Sequence, residues 1–546
     1  MVYIESGSDG PGQAQEFHYS HFEQRAHQVA HALQASGINK GDVILLMSCR
    51  APDWYEMLCG CMLAGVVVCP CSAALMPAEV SQRAQMTNAS AIVASSGRIT
   101  EDVLAWADAP SQPSRSRRII QLGNGDVVFP HPKVMTYSRL LTSVHAGAAP
   151  NLPTTVATDP CLLYFTSGTT GEPKMVRHTH LSYPYAHIRT GKDWLDLCPG
   201  KLLFNTSDQG WAKALWAFFG AWGQGAALFL DGDEGPFEPE RAIDLLHHFP
   251  ITTFCTAPAI YRLMVRGELA QKFVDQPPRA LEHCTSAGEN LEAQVILKWA
   301  ENTDGIIIRD GFGQTETSIL CGNSPAIAPK LGSMGKPLPG VPLAILNANR
   351  RLAHPFEEGD IAVRVFSTSA PIHQQACRPQ TSFLGLFDGY IQSDGSTRRP
   401  LVTDDEGTSW YVTGDRAYHD DEGYLWYVGR GDDVINSAGH RIGPVEVEVV
   451  LKSHPGVLEA VVVGTVDPTR GGTCVKAFVV LRDAHPIPTT TTHSRLTQEL
   501  REHCLQRKAA HCCPQLFEFV SAESLPRTIS GKVMRKRLRE SGETSI

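Results

Sequence analysis

A run of small hydroxyl residues and glycines, closed by a lysine, is the part of this sequence best suited to bind phosphate. It comprises Thr166, Ser167, Gly168, Thr169, Thr170, Gly171, Glu172, Pro173 and Lys174. Glycine lets the backbone approach a phosphate, hydroxyl and N–H groups donate to its oxygens, and lysine adds positive charge. The run is not a Walker A loop, because Pro173 stands where the second glycine belongs and Met175 follows the lysine. It therefore predicts a phosphate-binding loop of a different type, with an ordinary polar hairpin as the alternative.

A second glycine-containing segment ends in a carboxylate and follows an apolar run at residues 306–308. It comprises Asp310, Gly311, Phe312, Gly313, Gln314, Thr315 and Glu316. Because Glu316 occupies the place of the last glycine, the segment is not a dinucleotide-binding fingerprint. We expect residues 306–308 to form a strand and the segment to turn after its end. A carboxylate there suits Mg²⁺ that bridges to phosphate, with a capped turn as the alternative.

A third motif pairs an aspartate with a following arginine. Asp415 ends the apolar run that begins at Tyr411, and Arg430 follows Gly429. A carboxylate accepts hydrogen bonds and a guanidinium donates them, so the two side chains are able to hold the hydroxyls of one ribose. A surface salt bridge is the equally weighted alternative.

The fourth motif is a lysine near the carboxyl end of the chain. Lys532 follows a Thr-Ile-Ser-Gly turn and heads a basic run with Arg535, Lys536, Arg537 and Arg539. Such a run is usually a solvated helix face. The preceding turn sets Lys532 apart from the others and makes it a candidate catalytic cation.

Alternating strands and helices are predicted to position these motifs. Strand-like apolar runs lie at residues 42–47, 66–68, 91–94, 226–230 and 251–255, with helical patterns between the early ones. This alternation indicates βαβ units and parallel sheets. We also expect a capping box at residues 20–23 to start the first helix, an extended loop at residues 367–404, and a small α+β unit after residues 429–433. A loop is expected at residues 489–492 within that unit.

Composition excludes several classes of protein. At roughly 150 residues per domain, 546 residues correspond to about three or four domain-sized units. The formal charge of −9 gives no general attraction to nucleic acid or anionic membranes. Fifteen cysteines without a C-x-x-C pair predict a reduced, intracellular protein without a zinc site.

Neither a targeting signal nor a membrane span is expected. The first seventeen residues contain no arginine and the chain ends in Thr-Ser-Ile, so secretory, mitochondrial and peroxisomal signals are not evident and we expect a cytoplasmic location. Residues 57–78 carry no charge and have the length of a bilayer span. Gly65, the Val66-Val67-Val68 run and Pro70 instead predict a buried helix followed by a buried strand.

Taken together and in this order, the four motifs resemble those of the adenylate-forming superfamily, from about residue 17 to residue 539. Residues 205–213, 432–444 and 467–471 are most similar to the medium-chain acyl-CoA synthetases. The resemblance implies an α/β, adenylate-forming enzyme fold. A large N-terminal AMP-binding domain, residues 1–430, would contain parallel αβ subdomains at roughly 1–155 and 156–335 and a β-barrel-like subdomain at 336–430. A small, mobile α+β lid domain would span residues 431–546.

The same resemblance implies a two-step reaction and a set of roles. ATP and a carboxylic acid give an acyl-adenylate and pyrophosphate, and CoA then displaces AMP. Residues 166–174 would cradle the pyrophosphate portion of ATP, Glu316 would hold Mg²⁺, and Lys532 would catalyse adenylation. Residues 286–289, including Gly288 and Glu289, and residues 310–315 would line the adenine and acyl-phosphate region, with Thr315 near the substrate carboxylate. The remaining implied roles are ribose binding by Asp415 and Arg430, a hinge at Asp432, a CoA channel at Ala438, Gly439 and His440, and phosphate contacts of Arg441 and Arg470.

The acid and the acyl acceptor are less sharply predicted. Five aromatic residues lie between positions 205 and 225, and we expect most to be core and Trp211 to line an apolar acid pocket. Such a pocket suits a medium-chain fatty acid or an aryl acid and does not rank the two. Cys513-Pro514-Gln515 replaces the Tyr-Pro-Arg usual in medium-chain relatives, so a donor to CoA is missing. Transfer to a separate carrier protein is therefore the alternative, and a non-catalytic binding protein is a remote one.

Overall fold

The computed structural model describes the chain except for 6–13, 49, 110–116, 124–128, 144–150, 167–172, 234, 236, 366–382, 438–439, 467–472, 483–489, 509, 529–530 and 544–546. The side chains of 436, 440–441, 490–492 and 541–543 also lie outside the description. Two compact units are present. Unit 1 comprises Met1–Val341 with Phe366–Pro400, and unit 2 comprises Pro342–Val365 with Leu401–Ile546.

The α-helices of the described residues are short to medium in length. In chain order they are α1 Tyr19–Ala35, α2 Pro52–Leu63, α3 Pro77–Met86, α4 Glu101–Asp108, α5 Tyr137–Thr142, α6 Ser182–Asp193, α7 Ala212–Gly223, α8 Pro239–His248, α9 Pro258–Met264, α10 Gly267–Asp275, α11 Ala293–Asn302, α12 Pro444–Lys452, α13 Thr490–Leu505 and α14 Arg535–Glu543.

The strands alternate with these helices in unit 1 and follow one another more closely in unit 2. Those of unit 1 before residue 341 are β1 Val2–Ile4, β2 Gln15–Glu16, β3 Val43–Met47, β4 Val67–Pro70, β5 Ala91–Ser95, β6 Arg118–Leu122, β7 Val134–Thr136, β8 Pro160–Thr166, β9 Lys174–Thr179, β10 Leu202–Asn205, β11 Ala227–Asp231, β12 Thr253–Thr256, β13 His283–Ala287, β14 Ile308–Gln314, β15 Ser318–Gly322 and β16 Lys336–Pro337. The later strands are β17 Leu343–Leu346, β18 Gly359–Val365, β19 Gly389–Ile391, β20 Thr397–Arg398, β21 Val402–Thr403, β22 Ser409–His419, β23 Leu425–Arg430, β24 Ile435–Ser437, β25 His440–Ile442, β26 Val457–Val466, β27 Thr473–Leu481 and β28 Leu516–Phe519.

Unit 1 contains two largely parallel sheets, as the alternation of strands and helices predicted. One has the order β20-β19-β9-β8-β4-β3-β5-β6-β7, and the other has the order β16-β15-β14-β13-β12-β10-β11-β1-β2. Their central strands are buried and mostly apolar, because helices cover both faces of a parallel sheet. Antiparallel strands extend each sheet at its edge, namely β9, β19 and β20 in the first and β15 and β16 in the second.

Unit 2 is built mostly from antiparallel strand pairs, and its one parallel pair among the described residues joins β27 and β28. Strands β17, β18, β22 and β21 form one sheet, to which β23 adds by pairing with β22. Strands β26, β27 and β28 form a second sheet, and its buried face packs with α12 and α13 around Val462, Ala477 and Leu500. The hairpin β24–β25 follows directly on residues 432–434. The domain boundary predicted between residues 430 and 431 lies inside this unit and stays a prediction.

Several local predictions are wrong. Helix α1 begins at Tyr19 after His18, without a side-chain cap, so the predicted capping box at Ser20 does not form. The strand expected at residues 306–308 begins at Ile308 and runs on to Gln314, so the glycine segment is itself the strand. Residues 490–492 lie in α13 rather than in a loop. Strands β19, β20 and β21 occupy part of the region expected to be an extended loop, whose residues 367–382 lie outside the description.

The uncharged segment at residues 57–78 folds as predicted. Helix α2 ends at Leu63, Gly65 turns the chain with φ +71°, and β4 follows. Among the residues described, no helix is long and apolar enough to cross a membrane.

Candidate functional site

A hydrogen bond connects β9 of the first sheet with the turn after β14 of the second. His178 Nε2 donates to the carbonyl oxygen of Thr315 at 2.8 Å, while its Nδ1 lies 3.1 Å from the Ser182 hydroxyl. Burial lowers the pKa of His178 to about 4, so the ring is neutral near pH 7. A neutral ring with Nε2–H fits both contacts, and His178 therefore fixes Thr315 against the first sheet.

Lys174 and Glu316, predicted from separate motifs, are brought together by Tyr390. The Tyr390 hydroxyl donates to Glu316 Oε1 at 2.9 Å, and Lys174 Nζ lies 5.2 Å from the centre of the Tyr390 ring. Lys174 is exposed, whereas only 9% of Glu316 is exposed. Phe387 N also donates to the Glu316 backbone carbonyl at 2.8 Å. A cation and a carboxylate thus lie close to the same tyrosine side chain, and their use in binding phosphate and Mg²⁺ stays a prediction.

The register of the edge strands explains this grouping. Tyr390 pairs directly with Val176 across β19 and β9, and Lys174 pairs with Thr166 across β9 and β8. Side chains two residues apart on a strand share a face, so Lys174, Val176 and His178 point to the same side as Tyr390. The predicted phosphate loop joins β8 to β9. Its residues 167–172 lie outside the described residues, so the choice between this loop and a polar hairpin stays open.

Gly313 is required by the turn that presents Glu316. A Cβ at Gly313 would lie 1.9 Å from the Ser318 carbonyl oxygen, where β14 folds back on β15. Ser318 itself has φ +58°, and Gln314 N donates to the Thr317 hydroxyl at 3.1 Å. The tight turn keeps Thr315 and Glu316 at the end of β14, and the role of Glu316 in holding Mg²⁺ stays a prediction.

The end of β13 forms a second part of the site in unit 1. The Lys213 ammonium donates to the Ala287 carbonyl, beside Gly288, whose φ is +104°. The positive φ favours glycine at this position. A Cβ there would lie 2.5 Å from Lys213 Nζ, so the end of the lysine side chain would have to move. Asp310, on the neighbouring β14, is buried, and its Oδ1 accepts from Gly311 N at 2.9 Å. Burial raises the pKa of Asp310 well above its usual value, and the positive charge of Lys213 offsets part of this rise.

Glu289 is held by the half-buried Arg262. Arg262 Nη1 lies 3.1 Å from Glu289 Oε2, and Arg262 Nε lies 2.9 Å from Glu292 Oε2. The same guanidinium donates to the Asn290 carbonyl at 2.7 Å. These contacts fix residues 288–290, which follow the carboxyl end of β13 and are called the shelf below.

Asp415 and Arg430 lie opposite each other in unit 2. They pair directly across β22 and β23, and Arg430 Nη1 is 3.6 Å from Asp415 Oδ2. Tyr427 donates to Asp415 Oδ1 at 2.9 Å, and Arg430 Nε lies 3.3 Å from Oδ1 of the exposed Asp432. The ion pair named as the alternative does form, with Asp415 4% exposed and the Arg430 side chain 32% exposed. Binding of ribose hydroxyls stays a prediction.

Lys532 is exposed and follows a tight backbone turn. Thr528 N donates to the Lys532 carbonyl at 2.8 Å, and Gly531 N donates to the Thr528 carbonyl at 2.8 Å. Gly531 has φ +77°, a conformation that glycine adopts without strain. Lys532 belongs to unit 2, whereas Lys174, Thr315 and Glu316 belong to unit 1.

The five aromatic residues at 205–225 differ in how deeply they are buried. Trp216 and Phe218 are buried, and Phe219 and Trp222 are half-buried with ring contacts to Tyr183 and Phe22 among others. Trp211 is half-buried and precedes the first residue of α7. The position of Trp211 at a helix start, apart from the packed rings, is compatible with the predicted pocket role, which stays a prediction.

Some predicted site residues are not described. Ala438, Gly439 and Arg470 lie outside the described residues, as do the side chains of His440 and Arg441. In the part of the chain that is described, no group of three or more His, Cys, Asp or Glu side chains is arranged to hold a metal ion. A single carboxylate such as Glu316 nevertheless fits Mg²⁺, which takes one or two protein carboxylates and completes its shell with phosphates and water.

Three residues of this site had no assigned role in the sequence analysis. Tyr390 lies in the region expected to be a loop, His178 lies in β9, and Lys213 lies in a stretch singled out only for its resemblance to a subgroup. The position of His178, four residues after Lys174 on the same strand face, was a usable signal. Tyr390 offered none, because its place depends on a strand pairing across more than two hundred residues.

Comparison with known proteins identifies the family. The profile of the AMP-binding enzyme family matches residues 3–369, and that of the AMP-binding enzyme C-terminal domain matches residues 446–532. The chain therefore belongs to the AMP-binding enzyme family of the adenylate-forming superfamily, and the predicted family is confirmed.

Within this family the curated relatives are acyl-CoA synthetases. The mitochondrial acyl-coenzyme A synthetase ACSM3 of Pongo abelii is 37% identical over 512 residues, which are 93% of this chain and 80% of that protein. The mitochondrial acyl-coenzyme A synthetase ACSM5 of Mus musculus is 36% identical over 534 residues, 97% of this chain and 85% of that protein. The predicted resemblance to the medium-chain group is confirmed.

Solved structures confirm the adenylate-forming fold. The anthranilate CoA ligase AuaEII, in complex with anthranoyl-AMP, superposes with a TM-score of 0.78 at 25% identity over 97% of this chain and 92% of that one. A benzoate CoA ligase from Burkholderia xenovorans LB400 has a TM-score of 0.76 at 24% identity, with 98% and 96% covered, and supports the fold alone.

Proposed function

We propose that this chain is an AMP-forming acid–CoA ligase. A carboxylate oxygen of the acid attacks the α-phosphorus of ATP, which forms the acyl-adenylate and releases pyrophosphate. The CoA sulfur, after its thiol proton is lost, then attacks the acyl carbon, and AMP leaves. The observation that carries the proposal is the relatedness to acyl-CoA synthetases along more than nine tenths of the chain.

We assign the ATP phosphates to the group formed by Lys174, Tyr390 and Glu316. Lys174 supplies positive charge, and Glu316, oriented by Tyr390, would hold Mg²⁺. When bound, Mg²⁺ neutralises phosphate charge. Thr315, fixed by His178, faces the acid carboxylate, and the shelf at Gly288 and Glu289 receives adenine. The loop residues 166–173 add backbone and hydroxyl donors.

Residues of unit 2 are assigned to ribose, catalysis and CoA. Asp415 and Arg430 bind ribose hydroxyls, and Lys532 stabilises the charge that develops between carboxylate and α-phosphate, an effect worth several kcal/mol in enzymes. Asp432 is the proposed hinge. Ala438, Gly439, His440, Arg441 and Arg470 are the proposed contacts of CoA and the adenylate, with Arg441 at the acyl-phosphate.

We propose a medium-chain alkyl or an aryl acid as substrate, with Trp211 in its pocket. The names of the relatives and of the anthranilate CoA ligase cover both acyl and aryl CoA ligases, which supports this range. The alternative, transfer of the acyl group to a separate carrier protein, rests on Gln515. Its Oε1 accepts from Val475 N at 2.7 Å, so the side chain that replaces the usual arginine is used inside the sheet.

The test measures both half-reactions with one acid panel. Acids from butyrate to dodecanoate, together with benzoates, are incubated with ATP, Mg²⁺ and CoA, and pyrophosphate and thioester are quantified. We expect both products with at least one acid. Pyrophosphate without thioester would favour the carrier alternative, and no product with any acid would favour a non-catalytic protein.

We further propose an intracellular place of action. The names of the two relatives assign those proteins to mitochondria, so cytoplasm and mitochondria are the compartments to compare. Immunostaining of the native protein against markers of both distinguishes them, and secretion would contradict the proposal.

A further inference from the structure

Two arginine–glutamate pairs flank the segment that carries Lys532. Backbone contacts hold together the residues before and after the turn. Met534 N donates to the Pro526 carbonyl at 2.8 Å, and the backbones of Arg527 and Val533 form an isolated antiparallel β-bridge. The exposed Lys532 side chain therefore extends from a short closed segment. The direction of that segment depends on what fixes its two ends.

The later end is fixed by an ion pair between the half-buried Arg535 and the buried Glu448. Arg535, the first residue of α14, donates from Nη2 to both carboxylate oxygens of Glu448 at 2.7 and 2.8 Å. Glu448 lies in α12, is 5% exposed, and also accepts from Val462 N at 2.8 Å. A single guanidinium nitrogen thus contacts both carboxylate oxygens, and such charge-assisted hydrogen bonds are stronger than neutral ones. Helix α14 is thereby held in a defined rotation, only three residues after Lys532.

The earlier end is fixed by a second, more exposed pair. Arg527 donates from Nη1 to the Gly531 carbonyl at 2.9 Å and from Nη2 to Glu459 Oε2 at 2.6 Å. One side chain therefore connects β26 to the peptide immediately before Lys532. A third contact joins Arg539 Nη1 to Asp433 Oδ1 at 3.2 Å. It holds α14 about one turn after Arg535.

We infer that Arg535, supported by Arg527, positions Lys532 for the adenylation step. This inference rests on the proposed catalytic role of Lys532. Both guanidiniums are committed to carboxylates of unit 2, so they act on the reaction through the segment that carries the lysine. A displacement of about 1 Å in a reacting group costs up to roughly 100-fold in rate, so the loss of such a clamp is measurable.

Positioning predicts a split between the two half-reactions. Adenylation needs Lys532, whereas thioester formation from supplied acyl-adenylate does not need it. Loss of a clamp that only orients Lys532 therefore slows the first step and spares the second. A general loss of stability in this part of the chain would slow both, because the proposed CoA contacts lie in the same unit.

The experiment compares variants of the full chain in the two half-reactions. Arg535→Ala is expected to slow pyrophosphate release by about 10- to 100-fold and to leave thioester formation from supplied acyl-adenylate near the wild-type rate. Arg535→Lys, which keeps the charge but not the shape or the reach of the guanidinium, should lie between the two. Arg537→Ala, at an exposed position of the same helix, is the matched control and should leave both steps unchanged.

A milder variant and a reference variant make the result decisive. Glu459→Gln removes only the anchor of Arg527 at a half-exposed position and should reduce adenylation less, with the same split. If Arg535→Ala does not fold, an unchanged adenylation rate in Glu459→Gln overturns the inference. Unchanged adenylation in Arg535→Ala, or equal loss of both steps, also overturns it. Lys532→Ala separates the two proposals: if that variant still adenylates, the proposed role of Lys532 itself is wrong.

Discussion

The hydrogen bond from Tyr390 to Glu316 gives the sharpest prediction about the phosphate site. Tyr390→Phe removes the hydroxyl at 2.9 Å from Glu316 Oε1 and keeps the ring beside Lys174. A hydrogen bond to a charged partner contributes about 1.5–3 kcal/mol. Because Glu316 is only 9% exposed, water replaces that donor poorly. At 1.36 kcal/mol per factor of ten, kcat/KM for ATP should fall about 10- to 100-fold.

The assay is pyrophosphate release at varied ATP and Mg²⁺ with a fixed acid. The loss should be accompanied by a higher Mg²⁺ requirement, since Tyr390 acts on the carboxylate proposed to hold the ion. Tyr19→Phe is the matched control, because it removes a hydroxyl that donates at 2.6 Å to the Ala226 carbonyl elsewhere in unit 1. If both variants have the same Mg²⁺ and ATP dependence, the assigned role of Glu316 is refuted.

Three further predictions concern the turn, the pocket and pH. Gly313→Ala should lower the free energy of unfolding by at least about 1–3 kcal/mol in urea titration, because its Cβ would clash with the Ser318 carbonyl; an unchanged midpoint would contradict this. Trp211→Ala should change the ranking of acids with little loss of stability, whereas Trp216→Ala should cost about 3–5 kcal/mol of stability; an unchanged ranking would remove Trp211 from the pocket. The His178 side chain takes up a proton near pH 6.5 in the unfolded chain but only near pH 4 in the folded protein, so the free energy of unfolding falls as pH decreases across that window. His178→Gln should therefore show a smaller decrease in the free energy of unfolding between pH 7 and 5. Equal decreases in both proteins would contradict the assignment.

Local patterns in the sequence predicted much of the fold because they describe short-range structure. The helix and strand at residues 57–78 followed from Gly65 and a β-branched run, and both form. The capping box at Ser20 has suitable residues, yet α1 starts one residue before it, since helix ends depend on packing as well as on the cap. Residues 490–492 are β-branched threonines that favour other structures, and the helix forms there nonetheless.

The candidate site was predicted in pieces and assembled only by long-range pairing. Lys174 and Glu316 were each identified from their own motif, but no local pattern indicated that they share a neighbour. That neighbour, Tyr390, reaches them because β19 pairs with β9 in a register that aligns Tyr390 with Val176. Strand pairing at such separation is set by the whole sheet, so its register is not encoded in either segment alone.

Transfer of isotopic oxygen tests the central claim, that an acyl-adenylate forms, most directly. The protein is incubated with ATP, Mg²⁺, CoA and an accepted acid whose carboxylate carries ¹⁸O, and the nucleotide product is analysed by mass spectrometry. Because a carboxylate oxygen attacks the α-phosphorus and stays there when CoA displaces AMP, the account predicts AMP that contains one ¹⁸O atom. Unlabelled AMP, or ADP with the label in orthophosphate, would contradict it.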